Sequence, residues 1–402
     1  MIIRERYLKE IRKFYDQDLI KVIIGIRRCG KSVLMKQIID ELKTKGIDEE
    51  HIIYINFEDY DYDIYTDSHK FHDFVKAKIK DNKKYYLFFD EIQNVDKWEK
   101  VINSFKATLN VSIFLTGSNS DILSGELATH ISGRYVSFKI SPFSFKEVCE
   151  LKNVLDKNKY ELLDVFEEYV KWGGLPQVFM QVDDMSKKTY LNDVYNSIIV
   201  KDIVTRFNVK DVDLLNRIIT YILTTPANTF SAESLSKYFE SISRSVSLET
   251  IYNYIDYITR AMLIEKSSRY DIRGKRILTG KYKYYLTDLG FTNILSEGKK
   301  EQLGAYLENI VYNELINRGY TVYIGTNDAS EVDFIATRFQ EKIYIQVAYL
   351  LANEETITRE FNAFNNIKDN YPKYVISLDN FDFSKDGIIH KNIIEWLLEK
   401  DN

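Results

Sequence analysis

The sequence predicts an α/β protein whose amino-terminal part is a parallel sheet with helices between its strands. An apolar run at residues 22–24 leads into a glycine-containing loop and then a segment of helical period that ends near residue 42. Two further apolar runs, at 85–89 and 111–115, each follow a helical segment. The first run leads into the loop and the other two end in polar or charged residues, which is typical of parallel strands that present functional groups at their carboxyl ends.

The loop at residues 25–32 has the sequence Gly-Ile-Arg-Arg-Cys-Gly-Lys-Ser. This is the pattern G-x-x-x-x-G-K-[ST] of a P-loop, in which backbone N–H groups and a helix start surround phosphate oxygens. Lys31 is expected to contact the β- and γ-phosphates of ATP, and Ser32 to bind Mg²⁺. A glycine-rich turn with an exposed lysine is the alternative, but the flanking strand and helix favour nucleotide binding. The predicted nucleotide-contacting residues are Gly25, Ile26, Arg27, Arg28, Cys29, Gly30, Lys31, Ser32 and Val33.

Asp90 and Glu91 follow the apolar run at 85–89. Carboxylates at a strand end suit Mg-dependent ATP hydrolysis, with Asp90 holding the metal through water and Glu91 polarising the attacking water. An acidic strand end that only faces solvent is the alternative, and the neighbouring P-loop argues against it.

Two more residues are candidates for the same site. Asn119 follows the run at 111–115 and is predicted to lie between the acidic pair and the γ-phosphate, with Ser118 as second choice. Arg134 follows shortly after and is predicted to be an arginine finger, either within one chain or across a subunit boundary. A surface ion pair is the alternative for Arg134.

Composition limits the possible functions. The 402 residues allow two to four domains, and the net charge of −5 means that nucleic-acid binding would need a local basic patch. The two cysteines, Cys29 and Cys149, are too few for a disulfide framework or a zinc site and fit a reducing cytoplasm. No apolar run reaches the roughly 18 residues of a membrane span, and the charged amino terminus lacks a signal peptide's apolar region. We therefore expect a cytoplasmic protein without a membrane partner.

The middle of the chain is predicted to contain two helical regions. Residues 147–212 have helical periodicity, broken by Trp-Gly-Gly-Leu-Pro at 172–176, and are expected to form a lid over the nucleotide. Within them Lys201 and Arg206 either face the nucleotide or belong to a solvated surface. Residues 213–298 show helix, helix, turn, helix and then two β-runs, the order of a winged helix-turn-helix.

The predicted winged helix leaves its partner open. The β-runs surround a basic Arg-Gly-Lys-Arg segment at 273–276, which suits phosphate contacts. The expected recognition helix at 248–258 is rich in tyrosine and lacks the Arg, Lys or Gln that would read bases from its start. DNA, RNA and protein therefore all remain candidate partners.

Residues 299–402 are predicted to form a restriction-endonuclease-like α/β domain. Glu308 on a helix and Asp333 on a strand match two acids of a PD-(D/E)xK site, but Gln346-Val347-Ala348 stands where Glu-x-Lys is expected. A neutral amide is a poor Mg²⁺ ligand, and alanine removes the lysine's charge. We therefore expect a degenerate site formed by Glu308, Asp333 and Gln346.

Several motifs together resemble a known family. The segments GIRRCGKS, LFFDEIQNV, FLTGSNS, ISGRYVSFKISPFSFKEV and KWGGLPQVF are similar to prokaryotic AAA+-type P-loop ATPases related to the STAND and archaeal ATPase groups. The resemblance spans the whole chain and implies an ATPase followed by a carboxyl-terminal domain of unknown function. The expected domains are the ATPase (1–146), the lid (147–212), the winged helix (213–298) and the nuclease-like domain (299–402).

The expected function is Mg-dependent ATP hydrolysis that changes the conformation of the carboxyl-terminal half, which would act on nucleic acid. One alternative is a metal-dependent nuclease regulated by ATP. Another is a scaffold that binds ATP and forms homo-oligomers with little turnover.

Overall fold

The structure, a computed structural model, describes residues 2–118, 120–123, 133–155, 161–295, 302–327, 330–365 and 367–399. The chain divides into two compact units. Unit 1 comprises Met1–Ser141 with Arg260–Met262, and unit 2 comprises Pro142–Thr259 with Leu263–Asn402.

Unit 1 contains a five-stranded parallel sheet, which confirms the predicted architecture. Its strands are β1 (Ile20–Ile24), β2 (Ile52–Asn56), β3 (Tyr85–Asp90), β4 (Val111–Gly117) and β5 (Tyr135–Lys139). Their order in space is β2-β3-β4-β1-β5, and every neighbouring pair is parallel. The carboxyl ends of β1, β3 and β4 are therefore neighbours at one edge of the sheet.

The helices of unit 1 pack apolar faces onto this sheet. They are α1 (Glu5–Ile11), α2 (Lys31–Thr44), α3 (Ser68–Lys78) and α4 (Trp98–Thr108). Strands β1 and β3 are buried along their whole length, as expected for central strands covered on both faces. Phe88 of β3 stacks on Phe114 of β4 with ring centroids 4.5 Å apart, which joins the two strands in the core.

Unit 2 begins with a helical part. Its helices are α5 (Phe145–Leu155), α6 (Leu162–Trp172), α7 (Asp184–Ser197), which continues as a π-helix over Ile198–Thr205, and α8 (Val212–Thr224). The predicted break after Trp172 is the observed end of α6. The place of this region over a nucleotide stays a prediction, as does the orientation of Lys201 and Arg206, both of which are exposed.

The Gly-Gly pair after α6 surrounds a buried carboxylate. Asp288 accepts hydrogen bonds from the backbone N–H groups of Gly174, at 2.7 Å, and Gly290, at 2.8 Å. Gly173 has φ +72°, and a Cβ there would lie 1.8 Å from a carboxylate oxygen of Asp288. The glycine is therefore required by the close approach of Asp288, which joins two segments more than a hundred residues apart in sequence.

Asp288 should make the stability of unit 2 depend on pH. Burial raises the pKa of its carboxyl from 3.8 to about 7, despite the backbone donors. A carboxyl whose folded-state pKa lies above its unfolded-state pKa favours folding only when protonated, so stability falls as pH rises from about 4 to 7. The shift corresponds to at most about 4 kcal/mol. We expect Asp288→Asn, which cannot ionise, to lose this contribution to the pH dependence.

The measurement is urea unfolding of both proteins at pH 5 and pH 7.5. The asparagine side chain makes different hydrogen bonds at this position, so the prediction concerns the change in stability between the two pH values and not the absolute stability at either. Asp164→Asn, at an exposed position on α6, is the control and should keep the wild-type pH dependence. If the free energy of unfolding changed equally between pH 5 and pH 7.5 in wild type and in Asp288→Asn, Asp288 would not be the source of the pH dependence.

Two helices and a hairpin follow in unit 2. The elements are β6 (Thr229–Phe230), α9 (Ala232–Ser241), α10 (Leu248–Arg260), β7 (Ile264–Asp271) and β8 (Arg276–Leu286). The side chain of Ser231 accepts a hydrogen bond from the N–H of Ser234 and so caps α9.

The last part of unit 2 alternates strands and helices. Its elements are α11 (Thr292–Leu295), α12 (Leu303–Asn317), β9 (Thr321–Asn327), β10 (Ser330–Arg338), β11 (Glu341–Val347), α13 (Glu354–Asn362), β12 (Lys373–Ser377), β13 (Ile388–Asn392) and α14 (Ile393–Leu398). The sequence of residues 388–400 predicts one final helix, and this prediction is wrong at its start. Ile388–Asn392 pairs with β12, and Asn392 then caps α14 by accepting from the N–H groups of Ile394 and Glu395.

Strands β6 to β13 form a single mixed sheet in the order β13-β12-β11-β10-β9-β7-β8-β6. Strand β7 of the hairpin runs parallel to β9 and hydrogen-bonds to it. The sheet thus includes strands on both sides of the boundary expected between residues 298 and 299. Among the described helices of the two units, none combines the length and apolar character needed to span a membrane.

Candidate functional site

The loop between β1 and α2 lies at the carboxyl edge of the unit 1 sheet. A Cβ on Gly25 would lie 2.3 Å from the carbonyl oxygen of Ile140, so only glycine fits at the first position of the loop. Within the loop Ile26 and Cys29 are buried, and burial raises the pKa of the Cys29 thiol. Arg28 is exposed with φ +68°. The backbone conformation of the predicted loop is therefore fixed by the packing of its buried residues against unit 1.

The Lys31 side chain is buried within this loop. Its ammonium donates to the carbonyl oxygens of Gly25, at 3.1 Å, and Ile26, at 3.4 Å. It also lies 3.7 Å from a carboxylate oxygen of Glu91. The structure therefore brings together two residues that the sequence selected independently, one from the loop and one from the end of β3.

The other predicted loop residues differ in exposure. Ser32 is half-buried in the first turn of α2, and Val33 beside it is exposed. Arg27 forms an ion pair with Glu58 at 3.1 Å. Lys31 and Ser32 are thus the side chains of the loop that combine suitable chemistry with a position at the helix start.

Asp90 and Glu91 are both buried at the end of β3. The hydroxyl of Tyr54 donates to Asp90 at 2.9 Å, and the hydroxyl of Thr116 on β4 donates to its other oxygen. The Thr116 hydroxyl also accepts from the N–H of Glu91 at 2.9 Å. Thr116 therefore orients both acids, a role that sequence analysis missed because it placed the polar function of this strand end at Ser118 and Asn119.

The electrostatic surroundings keep Glu91 ionised. Burial by itself raises the pKa of its carboxyl, but the ammonium of Lys31 and the hydrogen bond from the Gln93 amide outweigh burial, so the pKa lies below its usual value. Arg27 and a hydrogen bond with Ser118 act in the same direction. A buried carboxylate that is ionised beside a lysine can accept a proton from water.

The remaining predicted residues of unit 1 have different outcomes. Asn119 lies outside the described residues. Arg134 is exposed, and its carbonyl accepts from the N–H of Ile20 at the amino-terminal edge of the sheet. The P-loop follows the carboxyl edge, which is about 16 Å away along a five-residue strand. A finger acting within one chain is therefore wrong for Arg134, and only the role across a subunit boundary stays a prediction.

Arg4 supports the P-loop from the amino-terminal segment. Its guanidinium is buried and donates to the carbonyl oxygens of Cys29, at 3.1 Å, and Ser141, at 2.9 Å. Its backbone N–H donates to the side chain of Gln37 on α2. Sequence analysis missed Arg4 because it assigned this segment to a charged amphipathic helix, and a buried arginine there has no distinguishing pattern.

We expect Arg4→Gln to weaken ATP binding about 10-fold, because the carbonyl of Cys29 loses a charge-assisted hydrogen bond and the loop becomes less ordered. Titration of ATP followed by calorimetry measures this effect. Lys9→Gln, at an exposed position on α1, is the control and should bind like wild type. If Arg4→Gln bound ATP with the wild-type affinity, Arg4 would contribute to the stability of the fold and not to ATP binding.

The three residues of the expected degenerate site lie in unit 2. Glu308 on α12 is paired with Lys283, at 3.0 Å, and with the hydroxyl of Tyr285, at 2.8 Å. Asp333 lies at a register shift in β10, and its backbone N–H donates to Gln346 on β11. Lys283 is a further member of this cluster that sequence analysis did not select, because it lies on the hairpin.

A P-loop, a buried lysine and an acidic pair on a five-stranded parallel sheet define an ATP-binding P-loop ATPase of the AAA+ class. A family model described as "AAA domain" matches residues 17–149. Two models described as "Domain of unknown function", DUF8612 and DUF4143, match residues 163–302 and 303–396.

The chain belongs to the family of two proteins bearing the name "Uncharacterized protein". The one from Haemophilus influenzae is 39% identical over 402 residues, with 99% of each chain covered. The one from Methanocaldococcus jannaschii is 33% identical over 375 residues, covering 90% of this chain and 80% of the relative. The fold is similar to that of the Walker-type ATPase of Pyrococcus abyssi, with a TM-score of 0.51 at 14% identity, covering 73% of this chain and 96% of the other. These findings confirm the predicted class.

Proposed function

We propose that this protein hydrolyses ATP in a Mg²⁺-dependent reaction in unit 1 and that the nucleotide state controls the contact of unit 2 with nucleic acid. The observation that carries the first part is the placement of Lys31 beside Glu91, at 3.7 Å, in the loop at the sheet edge. A lysine can bind phosphate oxygens and a glutamate can activate a water molecule, and at this distance both can act on the same γ-phosphate.

Lys31 would release its present contacts when the phosphates bind. Its ammonium is held by two backbone carbonyls of the loop, which are weaker partners than phosphate oxygens. The N–H groups of the loop and of the first turn of α2 would supply the remaining donors. Lys31 would then stabilise the charge that builds up on the phosphates as the bond to the γ-phosphate breaks.

The side chains of Ser32 and Asp90 fit a Mg²⁺ ion. They are a hydroxyl and a carboxylate, the oxygen ligands that Mg²⁺ prefers, and neither forms an ion pair within the described part of the chain. When bound, Mg²⁺ would neutralise charge on the phosphates. Tyr54 and Thr116 would hold Asp90 in place for this role.

Glu91 would orient and polarise the attacking water. Its left-handed backbone conformation, with φ +52°, places it in the turn just after β3. The hydrogen bonds from Thr116 to its backbone and from Gln93 to its side chain restrict its orientation. Glu91 is therefore held in position before the substrate arrives, which lowers the reorganisation that the reaction requires.

For unit 2 we propose a winged helix-turn-helix formed by α9, α10 and the β7–β8 hairpin, joined to a nuclease-like domain. The hairpin tip carries Arg273, Lys275 and Arg276, all exposed. The exposed face of α10 includes Glu249 and Asp256, which repel phosphate. These charges favour a contact through the hairpin with the nucleic-acid backbone over base reading by α10.

The experiment compares the steady-state ATPase rate without nucleic acid and with double-stranded DNA, single-stranded DNA or RNA. We expect one of these to change the rate, with binding that weakens as salt increases. Lys275→Ala should reduce the response, whereas Lys237→Ala, at an exposed position on α9, should not. A rate that no nucleic acid changes, with no measurable binding, would overturn the second half of the proposal and leave the ATPase standing.

A homo-oligomer is a second candidate arrangement, and the position of Arg134 favours it. Because Arg134 is exposed at the edge of the sheet opposite the P-loop, it would reach a nucleotide only in a neighbouring subunit. A mass increase on adding ATP, lost in Arg134→Ala, would support this arrangement. A monomer at every nucleotide concentration would exclude it.

A further inference from the structure

The acidic cluster of unit 2 is built around a buried lysine. Lys283 on β8 is 6% exposed, and its ammonium lies 3.0 Å from Glu308 on α12 and 2.7 Å from Glu331 on β10. Burial lowers the pKa of this ammonium, but Glu308, Asp333 and Glu331 outweigh burial and raise it above its usual value. Lys283 is therefore a permanent positive charge inside the cluster.

The other polar groups of the cluster bind one another. Asp333 accepts from the N–H of Val347 at 2.8 Å. The side-chain oxygen of Gln346 accepts from the N–H of Asp333, and its amide nitrogen donates to Glu360 on α13 at 2.9 Å. Gln346 is thus a bridge between Asp333 and Glu360, with both ends of its amide in use.

This arrangement does not fit the divalent metal that a nuclease-like fold implies. An oxygen of Glu308 is paired with an ammonium, an oxygen of Asp333 with a backbone N–H, and the oxygen of Gln346 is in use. Among the described residues, three side chains in unit 1 lie close enough together to share one metal ion: Asp48, Glu50 and His51. The side chains of the acidic cluster in unit 2 do not meet this criterion. The nearby positive charge of Lys283 also repels a cation.

We propose that Lys283 replaces a metal ion as the fixed cation of the acidic cluster, so that the site binds no divalent metal and instead joins the β7–β8 hairpin to α12 and β10. Two strands of the sheet, β8 and β10, and the helix α12 are then held together by one internal cation. This goes beyond the proposed ATPase and does not depend on it.

The test measures melting temperature without nucleotide, in EDTA and in millimolar MnCl₂. Four variants of the full chain are compared with wild type: Lys283→Met, Lys283→Arg, the double variant Lys283→Met with Glu308→Gln, and Lys266→Met. Lys266 is an exposed lysine on the neighbouring strand β7 and serves as the control. Any Mn²⁺ effect at the P-loop is common to all five proteins and cancels in the comparison.

We expect Lys283→Met to melt at least about 5 °C below wild type in EDTA, because it leaves Glu308 and Glu331, whose side chains are 14% and 33% exposed, without their cation. Mn²⁺ should restore part of this loss by occupying the vacated position. The double variant removes one charge of each sign, so it should melt above Lys283→Met in EDTA and show no specific response to Mn²⁺. Lys283→Arg and Lys266→Met should behave like wild type towards Mn²⁺.

Two results would overturn the proposal. One is a Mn²⁺-dependent rise in wild type that the double variant lacks, since the site would then bind metal with Lys283 present. The other is a Lys283→Met protein that melts like wild type in EDTA. If Lys283→Met does not fold, a folded double variant supports the proposal, and a double variant that also fails to fold contradicts it.

Discussion

Replacing Lys31 with alanine is expected to lower ATP affinity by at least about 100-fold. The reason is that the loop loses the ammonium group that would make a charge-assisted hydrogen bond to the phosphates. The buried ammonium of Lys31 is held within reach of the loop carbonyls and of Glu91. No other side chain of the loop occupies this position. Calorimetric titration with ATP and Mg²⁺ measures the change.

The matched control is Lys36→Ala. Lys36 lies on the same helix, α2, and its side chain is exposed, so the substitution removes an equal charge without touching the loop. Circular dichroism of both variants should show a folded protein. Unchanged ATP affinity in Lys31→Ala would refute the assignment of this loop as the phosphate-binding site.

Glu91→Gln is expected to bind ATP and to lower kcat by about 100- to 10,000-fold, because an amide cannot accept the proton of the attacking water. Glutamine has the size of glutamate and can keep a hydrogen bond near Gln93 and Lys31. The variant should therefore retain the nucleotide as ATP. Single-turnover hydrolysis of radiolabelled ATP distinguishes slow chemistry from weak binding.

The control for this change is Glu49→Gln, which makes the same substitution at an exposed position of unit 1. It should hydrolyse ATP at the wild-type rate. If Glu91→Gln also turned over normally, the general base would have to be another group. Asp90 could then be tested next, since Thr116 connects the two acids.

The two predictions also separate the ATPase from the proposed action on nucleic acid. Lys31→Ala should remain without nucleotide, whereas Glu91→Gln should remain loaded with ATP. If nucleotide state controls unit 2, the two variants should differ in nucleic-acid binding although both are inactive. Identical binding by both would separate the ATPase from the contact with nucleic acid.

Much of unit 1 could be predicted from sequence because its chemistry lies in short contiguous segments. The P-loop combines a strand, a loop and a helix start within about twenty residues, so local pattern determines its backbone and its residue types. Asp90 and Glu91 follow a strand that is apolar throughout, and the parallel order of the sheet brings that strand end beside the loop.

The residues that sequence analysis missed are those whose partners are distant in the chain. Arg4 contacts Cys29 and Ser141, and Thr116 contacts Asp90. Arg4 stands in no motif, and Thr116 lies in the FLTGSNS motif, where Ser118 and Asn119 are further polar candidates for the same role. Their roles follow from burial, which only packing reveals, since a buried polar group must find a partner.

Sequence by itself determined the class of this protein and predicted the phosphate-binding loop and the acidic pair, since these depend on local backbone geometry and residue chemistry. It also predicted a degenerate nuclease-like site at Glu308 and Asp333, without the third acid and the lysine of the PD-(D/E)xK pattern. Only the tertiary structure placed Arg134 at the opposite edge of the sheet and Lys283 among the acids of unit 2. The physical reason is that charges interact through space, and the separation of two strands in a sheet is independent of their separation along the chain.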